Sequence, residues 1–396
     1  MHTVDYPLFD ADNHYYEARD AFTRHLEPRY RDRAIELRLD HETGREHLVI
    51  AGEPFTFLPR PPFETAPVPG ALAQMMRGGG DNGERPYQPM APAFVDRDAR
   101  LAAMDDQGIE AAVLLPSIGV TVEHQMRHDP VTTYANLRAF NRWLDEDWGF
   151  SHRDRIIGVP LLSLLDVDLA VAELEWALGR GARLVHLRPT PVNGRSLADP
   201  VFDPFWARVD EARVPVAFHL SESGYNELMS VHWGEPANPS SHRQSALQWA
   251  MFYGDRPIMD TLAALVYGNL FGRFPGVKVV SIENGASWVG YLMKRLDKMK
   301  GMGRHGLWIG GRPTGKPSEI FRAHVVVSPY HEDDHEQLID CVGVDQIVFG
   351  SDWPHPEGLA EPRDYATTLP PSIPDADVRK ILRENGRRLV GLPAPS

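Results

Sequence analysis

Short apolar runs rich in β-branched residues recur along the chain, and amphipathic segments separate most of them. Eight such runs stand out: Pro7–Ala11, Ile109–Leu115, Ile156–Leu161, Arg183–Leu187, Val214–Leu220, Val277–Ile282, His324–Val327 and Gln346–Phe349. Continuous rather than alternating apolar runs are typical of parallel strands that are buried on both faces. Helical periodicity predicts helices over Ala99–Gln107, Thr132–Trp148, Val167–Gly179, Pro204–Ala212, Ala286–Lys298, Asp333–Cys341 and Ala376–Val390.

Eight strands that alternate with helices predict an α/β fold, a (β/α)8 TIM barrel. An open, doubly wound sheet is the alternative, and it would require a glycine-rich phosphate turn after the first strand. The segment FDADNHYYE, residues 9–17, contains no glycine. The pattern therefore favours the barrel.

Two segments exceed the plan of a simple barrel. The longer one, Ala34–Asp96, follows the first strand and begins with a hairpin-like pair, Ile35–Leu39 and His47–Ile50. Stretches rich in proline and glycine, Pro59–Pro62 and Gly78–Gly80, follow within it. Long irregular insertions of this kind are usually lids, binding loops or oligomer arms. We therefore expect one domain over residues 1–396, with residues 34–96 as an inserted lid or oligomer arm.

The second long segment, Glu222–Trp249, follows the fifth apolar run and is rich in Ser, His and Trp. Both segments follow strand ends, where barrel enzymes build their active sites.

Composition narrows the class of protein. The 396 residues carry a formal net charge of −14, and no dense Lys/Arg cluster is present, which argues against a nucleic-acid partner. The single cysteine, Cys341, excludes disulfide bonds and cysteine-rich zinc sites. The start of the sequence lacks the features of a signal peptide, and the longest apolar run, Ile156–Leu165, is too short to span a bilayer. We expect a cytoplasmic protein without a membrane partner.

Candidate metal ligands lie at the ends of three apolar runs. Asp10, Asp12 and His14 alternate at the end of the first run, so they can share one side of a strand. His219 ends the fifth run and Asp352 follows the eighth. A carboxylate with imidazoles is a good donor set for a divalent cation. Taken singly, Asp12 could be a turn residue and His219 a core histidine, whereas Pro354 and Pro356 disfavour a helix N-cap at Asp352.

Six segments together resemble the amidohydrolase-related family, which is amidohydrolase family 2, the aminocarboxymuconate-semialdehyde decarboxylase-like metal-dependent hydrolases. They are FDADNH, ARLAAMDDQGIEAAVLLPS, PVAFHLSE, FGRFPGVKVVSIENGASWVGYLMKRLD, FGSDWPHPEG and ENGRRLVGL. The resemblance implies a distorted (β/α)8 barrel with one divalent cation, Zn²⁺ or Mn²⁺, at its mouth. The implied ligands are Asp12, His14, His219 and Asp352, and Asp12 departs from the His or Glu that is common in the family.

A second departure from the family pattern lies after the sixth strand. Glu283 stands where many decarboxylases of the family carry a histidine that activates a metal-bound water. A buried glutamate with a raised pKa is a reasonable general base. The alternative is that Glu283 hydrogen-bonds a histidine that binds the metal.

Further candidates follow other strands. Arg188 could clamp a substrate carboxylate, and His186, Tyr330 and His355 could contact the substrate. A surface salt bridge at Arg188 and core packing at His186 are the alternatives. Aromatic walls for a flat substrate could come from Tyr15, Tyr16, Trp233 and Trp353.

These residues favour a metal-dependent hydrolase that acts on a small carboxylated or carbonyl-bearing substrate through a metal-activated water, with Glu283 and Asp352 as catalytic residues. The alternative is a non-oxidative decarboxylase of an aromatic or muconate-type acid, in which Asp352 protonates the ring carbon. A third hypothesis is a scaffold protein without chemistry. The long insertion also predicts a homo-oligomer, a dimer or tetramer.

Overall fold

The computed structural model describes residues 2, 4–42, 44–58, 63–72 and 86–393. The proline- and glycine-rich stretches Pro59–Pro62 and Gly78–Gly80 lie outside the described residues. Within the described ranges, no helix has the length and apolar character needed to cross a membrane.

Parallel strands form the centre of the molecule, as the continuous apolar runs predict. The described strands are β1 (Leu8–Tyr15), β2 (Ile35–Asp40), β3 (Arg45–Ile50), β4 (Glu53–Pro54), β5 (Thr65–Pro67), β6 (Tyr87–Pro89), β7 (Ile109–Pro116), β8 (Ile156–Gly158), β9 (Val185–His186), β10 (Val216–His219), β11 (Val279–Ile282) and β12 (Val325–Val327). One parallel sheet has the order β1-β7-β8, and a second has the order β12-β11-β10-β9. The insertion contributes the antiparallel sheets β2-β3-β4 and β5-β6, so the predicted hairpin is present.

Helices follow most of the parallel strands. The described α-helices are α1 (Pro92–Val95), α2 (Arg97–Gln107), α3 (Glu123–Met126), α4 (Pro130–Asp147), α5 (Val167–Gly179), α6 (Asp203–Ala212), α7 (Tyr225–Leu228), α8 (Ala246–Phe252), α9 (Asp255–Tyr267), α10 (Leu270–Arg273), α11 (Val289–Met302), α12 (Pro317–His324), α13 (His335–Val342), α14 (Tyr365–Thr368), α15 (Asp375–Arg379) and α16 (Asn385–Leu389). A π-helical turn, Lys380–Glu384, joins the last two, so the predicted helix Ala376–Val390 is continuous but irregular.

Helix α9, in the segment between the fifth and sixth apolar runs, is not among the helices predicted from the sequence. This helix buries Ile258, Leu262, Leu265 and Val266, which have the spacing of one helical face. In contrast, no regular strand forms over the predicted Gln346–Phe349. There the backbone makes isolated contacts, including the hydrogen bond from Val348 N to Val327 O at 3.0 Å.

Isolated bridges connect the two parallel sheets and the segment on either side of Asp352. They join Leu161 with His186, Val327 with Ile347, and Asn13 with Trp353. One buried cluster consists of side chains from a single face of these strands: Phe9, Ala11, Ala111, Val113, Leu115, Ile157, Val159, Leu184, Ala217, Val280, Ile282, Val326 and Val348, with Val390 and Leu392 from the C-terminal segment. The α/β architecture with parallel strands is therefore confirmed.

A β-bulge in β1 determines the side of the strand to which its later side chains point. Asp10 pairs with Ala112 and Asn13 with Leu114, so β1 has one more residue than β7 over this stretch. An extra residue reverses the alternation of side chains. The expectation that Asp10 shares a side with Asp12 and His14 is therefore wrong.

Arg100, on α2, is a fully buried cation that supports the end of β1. Its guanidinium donates to Asn13 Oδ1, to His14 O at 2.6 Å and to Ala93 O at 2.6 Å. Its Cζ lies 4.7 Å from the centre of the Trp353 ring. Burial lowers the pKa of Arg100 to about 9, so the side chain remains charged at neutral pH.

We predict that Arg100→Met lowers the free energy of unfolding by about 3 kcal/mol or more, because three buried acceptors lose their donor. Urea unfolding measures this change. Arg29→Met is the matched control, since the Arg29 side chain is 67% exposed, and we expect a change within about 0.5 kcal/mol. Equal losses in the two variants would contradict the supporting role of Arg100.

Candidate metal centre

Asp12, His14 and His219 come together at the ends of β1 and β10. The two histidine Nε2 atoms are 3.3 Å apart. Asp12 Oδ1 lies 3.3 Å from His14 Nε2 and 3.6 Å from His219 Nε2. All three side chains are buried. Two imidazole nitrogens and a carboxylate oxygen in such a group are potential ligands of one cation.

Glu283 and Asp352 extend this cluster from the other side. Glu283 Oε2 is 3.0 Å from His219 Nε2, and Asp352 Oδ1 is 3.3 Å from His14 Nε2. Oxygens of Asp12, Glu283 and Asp352 lie within 4.8 Å of one another, so these carboxylates form a second possible ligand group. The structure therefore brings together all five residues that the sequence singles out for metal binding and catalysis.

Glu283 and Asp352 both have a left-handed backbone, each with φ of 55°. Such conformations are uncommon outside glycine and cost roughly 1 kcal/mol each. Hydrogen bonds hold them: Asp352 N donates to Asp12 O at 2.8 Å, and Tyr330 Oη donates to Glu283 O at 2.7 Å. At both residues the left-handed conformation interrupts the extended backbone and directs the carboxylate toward the cluster.

Burial and neighbouring charges control protonation in the cluster. Burial and then the Glu283 carboxylate raise the pKa of Asp352 well above its ordinary value, and burial also raises the pKa of Glu283. The nearby imidazoles of His14 and His219 outweigh burial and keep the pKa of Asp12 low. Although burial opposes it, the carboxylates of Glu283 and Asp12 raise the pKa of His219. Crowded, buried carboxylates of this kind are stabilised by a cation.

The donor atoms fit a divalent cation. Asp12 Oδ1 is buried and has no hydrogen-bond partner within the described part of the chain. His219 Nδ1 lies 2.6 Å from Leu220 O, an arrangement that leaves Nε2 free to bind a metal. Imidazole and carboxylate donors suit Zn²⁺ and Mn²⁺.

Asp10 forms a buried link behind the cluster. Its Oδ1 accepts from Ser351 N at 2.9 Å, and its Oδ2 accepts from Ser351 Oγ at 2.5 Å and from Asn13 Nδ2 at 2.9 Å. Burial raises the pKa of Asp10 to about 6, and the bonds from Ser351 and Asn13 oppose this rise. Asp10 therefore connects the bulge of β1 to the residue beside Asp352.

His355, which the sequence suggests as a substrate contact, lies directly against two residues of the cluster. Its Nδ1 is 2.8 Å from Asp352 Oδ1, and its ring stacks on that of His14 with centroids 4.0 Å apart. A group of His14, Asp352 and His355 also satisfies the distance condition for a metal site.

Arg188 and His186 are buried at the end of β9. Arg188 Nη1 donates to Ser223 O at 3.2 Å and lies 3.3 Å from His124 Nδ1, whereas its Nε has no hydrogen-bond partner among the described residues. Burial and then His219 lower the pKa of His186 to about 3, so His186 is neutral. The surface salt bridge considered for Arg188 is wrong, since its side chain is 5% exposed.

The proposed aromatic walls are only partly present. Tyr15 is fully buried and stacks on Trp148, so it belongs to the core. Trp353 packs against Phe94, and Trp233 is 73% exposed. Tyr16 lies beside His355, with ring centroids 5.8 Å apart.

Glu17, just beyond β1, is not among the candidate residues that the sequence predicts. Its Oε1 accepts from Ile118 N at 2.7 Å and from Gly119 N at 2.8 Å. Burial raises the pKa of Glu17 to about 7, despite these two hydrogen bonds. An isolated glutamate after a strand carries no sequence signal for such a contact, because its partners are backbone amides of another loop.

We predict that the free energy of unfolding of Glu17→Gln, relative to that of the wild type, increases as the pH rises. The folded-state pKa lies above the ordinary value, so the stability that protonated Glu17 contributes is present in acid and is lost as the pH rises through about 7. Glutamine keeps an oxygen for both amides. The difference in unfolding free energy between variant and wild type should therefore shift in favour of the variant by about 1–3 kcal/mol between pH 5 and 8.5. Urea unfolding at both pH values tests this, and an unchanged difference would contradict it.

Comparison with known proteins gives the family. The chain matches the amidohydrolase family over residues 9–392. A solved amidohydrolase from Mycobacterium avium subsp. paratuberculosis K-10 is 41% identical, with a TM-score of 0.87, over 98% of this chain and 100% of the other.

More distant relatives have a named activity. The γ-resorcylate decarboxylase of Rhizobium sp. (strain MTP-10005) is 25% identical over 316 residues, 75% of this chain and 87% of that protein. The solved 5-carboxyvanillate decarboxylase of Novosphingobium aromaticivorans DSM 12444, in complex with manganese and 4-hydroxy-3-methoxy-5-nitrobenzoic acid, is 16% identical. Its TM-score is 0.59, over 98% of this chain and 97% of the other.

Together with the parallel strands and their helices, these similarities show a TIM-barrel-like α/β fold. The chain belongs to the amidohydrolase family and is an enzyme of that family.

Proposed function

We propose that the protein is a divalent-metal-dependent, non-oxidative decarboxylase of a small aromatic acid. The structural observation that carries the proposal is the Asp352 carboxyl, which lies beside the donor cluster and contacts His355 Nδ1 at 2.8 Å. Decarboxylation of an aromatic acid needs such an acid to protonate the ring carbon. The curated relatives favour this reaction over hydrolysis, since all three are named γ-resorcylate decarboxylase.

The proposed cofactor is one divalent cation, Zn²⁺ or Mn²⁺. Asp12, His14, His219 and Asp352 would hold it, with the Glu283 carboxylate beside them. The manganese in the solved 5-carboxyvanillate decarboxylase supports a cation of this type. When bound, the cation supplies charge neutralisation and polarisation of the substrate's carboxylate and adjacent oxygen.

The side chains of the chain then have distinct tasks. Asp352 gives its proton to the ring carbon that carries the carboxylate. The bond from that carbon to the carboxylate breaks, its electron pair restores the aromatic ring, and CO₂ leaves. Glu283 Oε2 lies 3.0 Å from His219 Nε2, beside the atoms that would bind the cation, and the hydrogen bonds of Asp10 to Ser351 keep the Asp352 turn fixed.

Substrate contacts are proposed for Arg188, His186, Tyr330 and His355. Arg188 has a buried guanidinium whose Nε has no hydrogen-bond partner within the described ranges, although Glu123 Oε2 lies 3.7 Å away. This Nε can donate to an anionic or phenolic oxygen. Tyr330 is 41% exposed although its hydroxyl is bonded to Glu283 O, and an exposed ring at this position can stack on a flat substrate.

A hydrolase is the second candidate, and Glu283 is the observation that favours it. Glu283 shares a possible ligand group with Asp12 and Asp352, so its carboxylate could take a proton from a water. The two reactions require the same cation and differ in the residue on which turnover depends.

We predict that the metal-loaded enzyme releases CO₂ from hydroxybenzoates, and that Asp352→Asn lowers kcat by about 10²–10⁴-fold through loss of the acid. Glu283→Gln should have the smaller effect, because Glu283 does not supply the proton of the ring carbon. Asp345→Asn is the control, since that carboxylate is 57% exposed and pairs with Lys380. The assay measures CO₂ from a panel of hydroxybenzoates, alongside turnover of amides, lactones and vinylogous diketones.

Hydrolysis without CO₂ release, abolished by Glu283→Gln, would contradict the decarboxylase proposal and support the hydrolase.

We further propose that the strands close into one distorted (β/α)8 barrel that comprises the whole chain, with residues 34–96 as an insertion. The isolated bridges beside β8, β12 and β1 support closure. Gly70 N donates to His355 O at 3.2 Å, and Leu72 N donates to Pro356 O at 2.7 Å, which supports a lid that packs on the active-site loop. A homo-oligomer and the cellular location stay predictions.

A further inference from the structure

Ser117, the residue after β7, has a hydroxyl with two partners near the proposed acid. Ser117 Oγ lies 2.9 Å from Tyr15 O and 2.8 Å from His355 Nε2. Ser117 is neither a candidate ligand nor close in sequence to any of them. Its contacts join the ends of β1 and β7 to the loop that carries His355.

The two partners of Ser117 determine which atom donates. Tyr15 O is a carbonyl oxygen and can only accept, so the single hydroxyl proton of Ser117 goes to it. With its proton used, the hydroxyl can only accept a hydrogen bond from its second partner, so His355 Nε2 must be the donor. This arrangement selects the form of His355 that carries hydrogen on Nε2.

The position of Ser117 is itself fixed. The next two residues, Ile118 and Gly119, donate their backbone amides to Glu17 Oε1. Glu17 lies two residues beyond β1, so both ends of the Ser117 contact are tied to the same strand end. An added methyl group at Gly119 would lie 2.9 Å from Leu161 Cδ1, which shows how closely this loop is packed.

With Nε2 engaged, Nδ1 of His355 faces Asp352. The Nδ1 to Oδ1 distance is 2.8 Å, and stacking on the His14 ring with an interplanar angle of 30° restrains the imidazole plane. If the Nε2 contact were lost, the ring could turn about its side-chain bonds and the Asp352 carboxyl would lose its lateral support.

We propose that Ser117 is a positioning residue: its hydroxyl fixes the orientation and tautomer of His355, which in turn orients the Asp352 carboxyl toward the substrate. Ser117 acts through His355 and does not touch the substrate. The inference rests on the proposed function in so far as Asp352 acts as the acid.

The test compares Ser117→Ala with Ser117→Thr, which keeps the hydroxyl. For Ser117→Ala we expect kcat for CO₂ release to fall about 10–100-fold, with KM and metal content near those of the wild type, as is typical for loss of an orienting hydrogen bond. Ser117→Thr should restore most of the lost kcat. A wild-type kcat in Ser117→Ala, or loss of metal from it, would overturn the proposal, since metal loss would make His355 part of the ligand set.

A second readout does not depend on turnover. In the zinc-loaded protein labelled with ¹⁵N-histidine, long-range ¹H–¹⁵N spectra assigned with His355→Gln report which ring nitrogen carries hydrogen. We expect Nε2–H for His355 in the wild type and in Ser117→Thr, and a changed spectrum in Ser117→Ala. A bare Nε2 in the wild type would overturn the inference. If the wild type releases no CO₂, the proposed function fails, whereas this spectrum still decides the role of Ser117.

Discussion

The buried hydrogen bonds between Asp10 and Ser351 are the constraint on which the candidate metal centre depends. They tie the first parallel strand to the turn that carries Asp352, and a backbone bond from Asp352 N to Asp12 O reinforces the link. The residues concerned are more than 300 positions apart in sequence, so the candidate ligands converge only when the fold is complete. The bulge of β1 then turns Asp12 and His14 to the side opposite Asp10.

Electrostatics supports the proposal that these side chains form a cation site. Three carboxylates, those of Asp12, Glu283 and Asp352, converge on two buried histidines, and the left-handed turns at Glu283 and Asp352 add conformational strain. Burying like charges is unfavourable unless a counter-charge is present. A divalent cation would offset both the desolvation of these carboxylates and the repulsion between them. The Asp352 carboxyl would remain near the substrate.

Sequence alone identified the parallel α/β architecture and the residues of the cluster, because strand ends and ligand types both leave a local signal. It could not identify the bulge of β1, which depends on pairing with β7, and so it misplaced Asp10. It also missed Arg100, Glu17 and Ser117, whose roles arise from partners on other elements. Helix α9 was not predicted either, although its buried residues have helical spacing. The reaction was less predictable still, since Glu283 suits both a base and a partner of His219.

The most direct test of the account is the metal content of the purified protein, measured by inductively coupled plasma mass spectrometry for wild type and His219→Asn. The account predicts about one equivalent of zinc or manganese per chain in the wild type, and a marked loss in the variant, because His219 Nε2 contacts both Asp12 and Glu283. A wild-type content well below one equivalent that His219→Asn does not alter would contradict it.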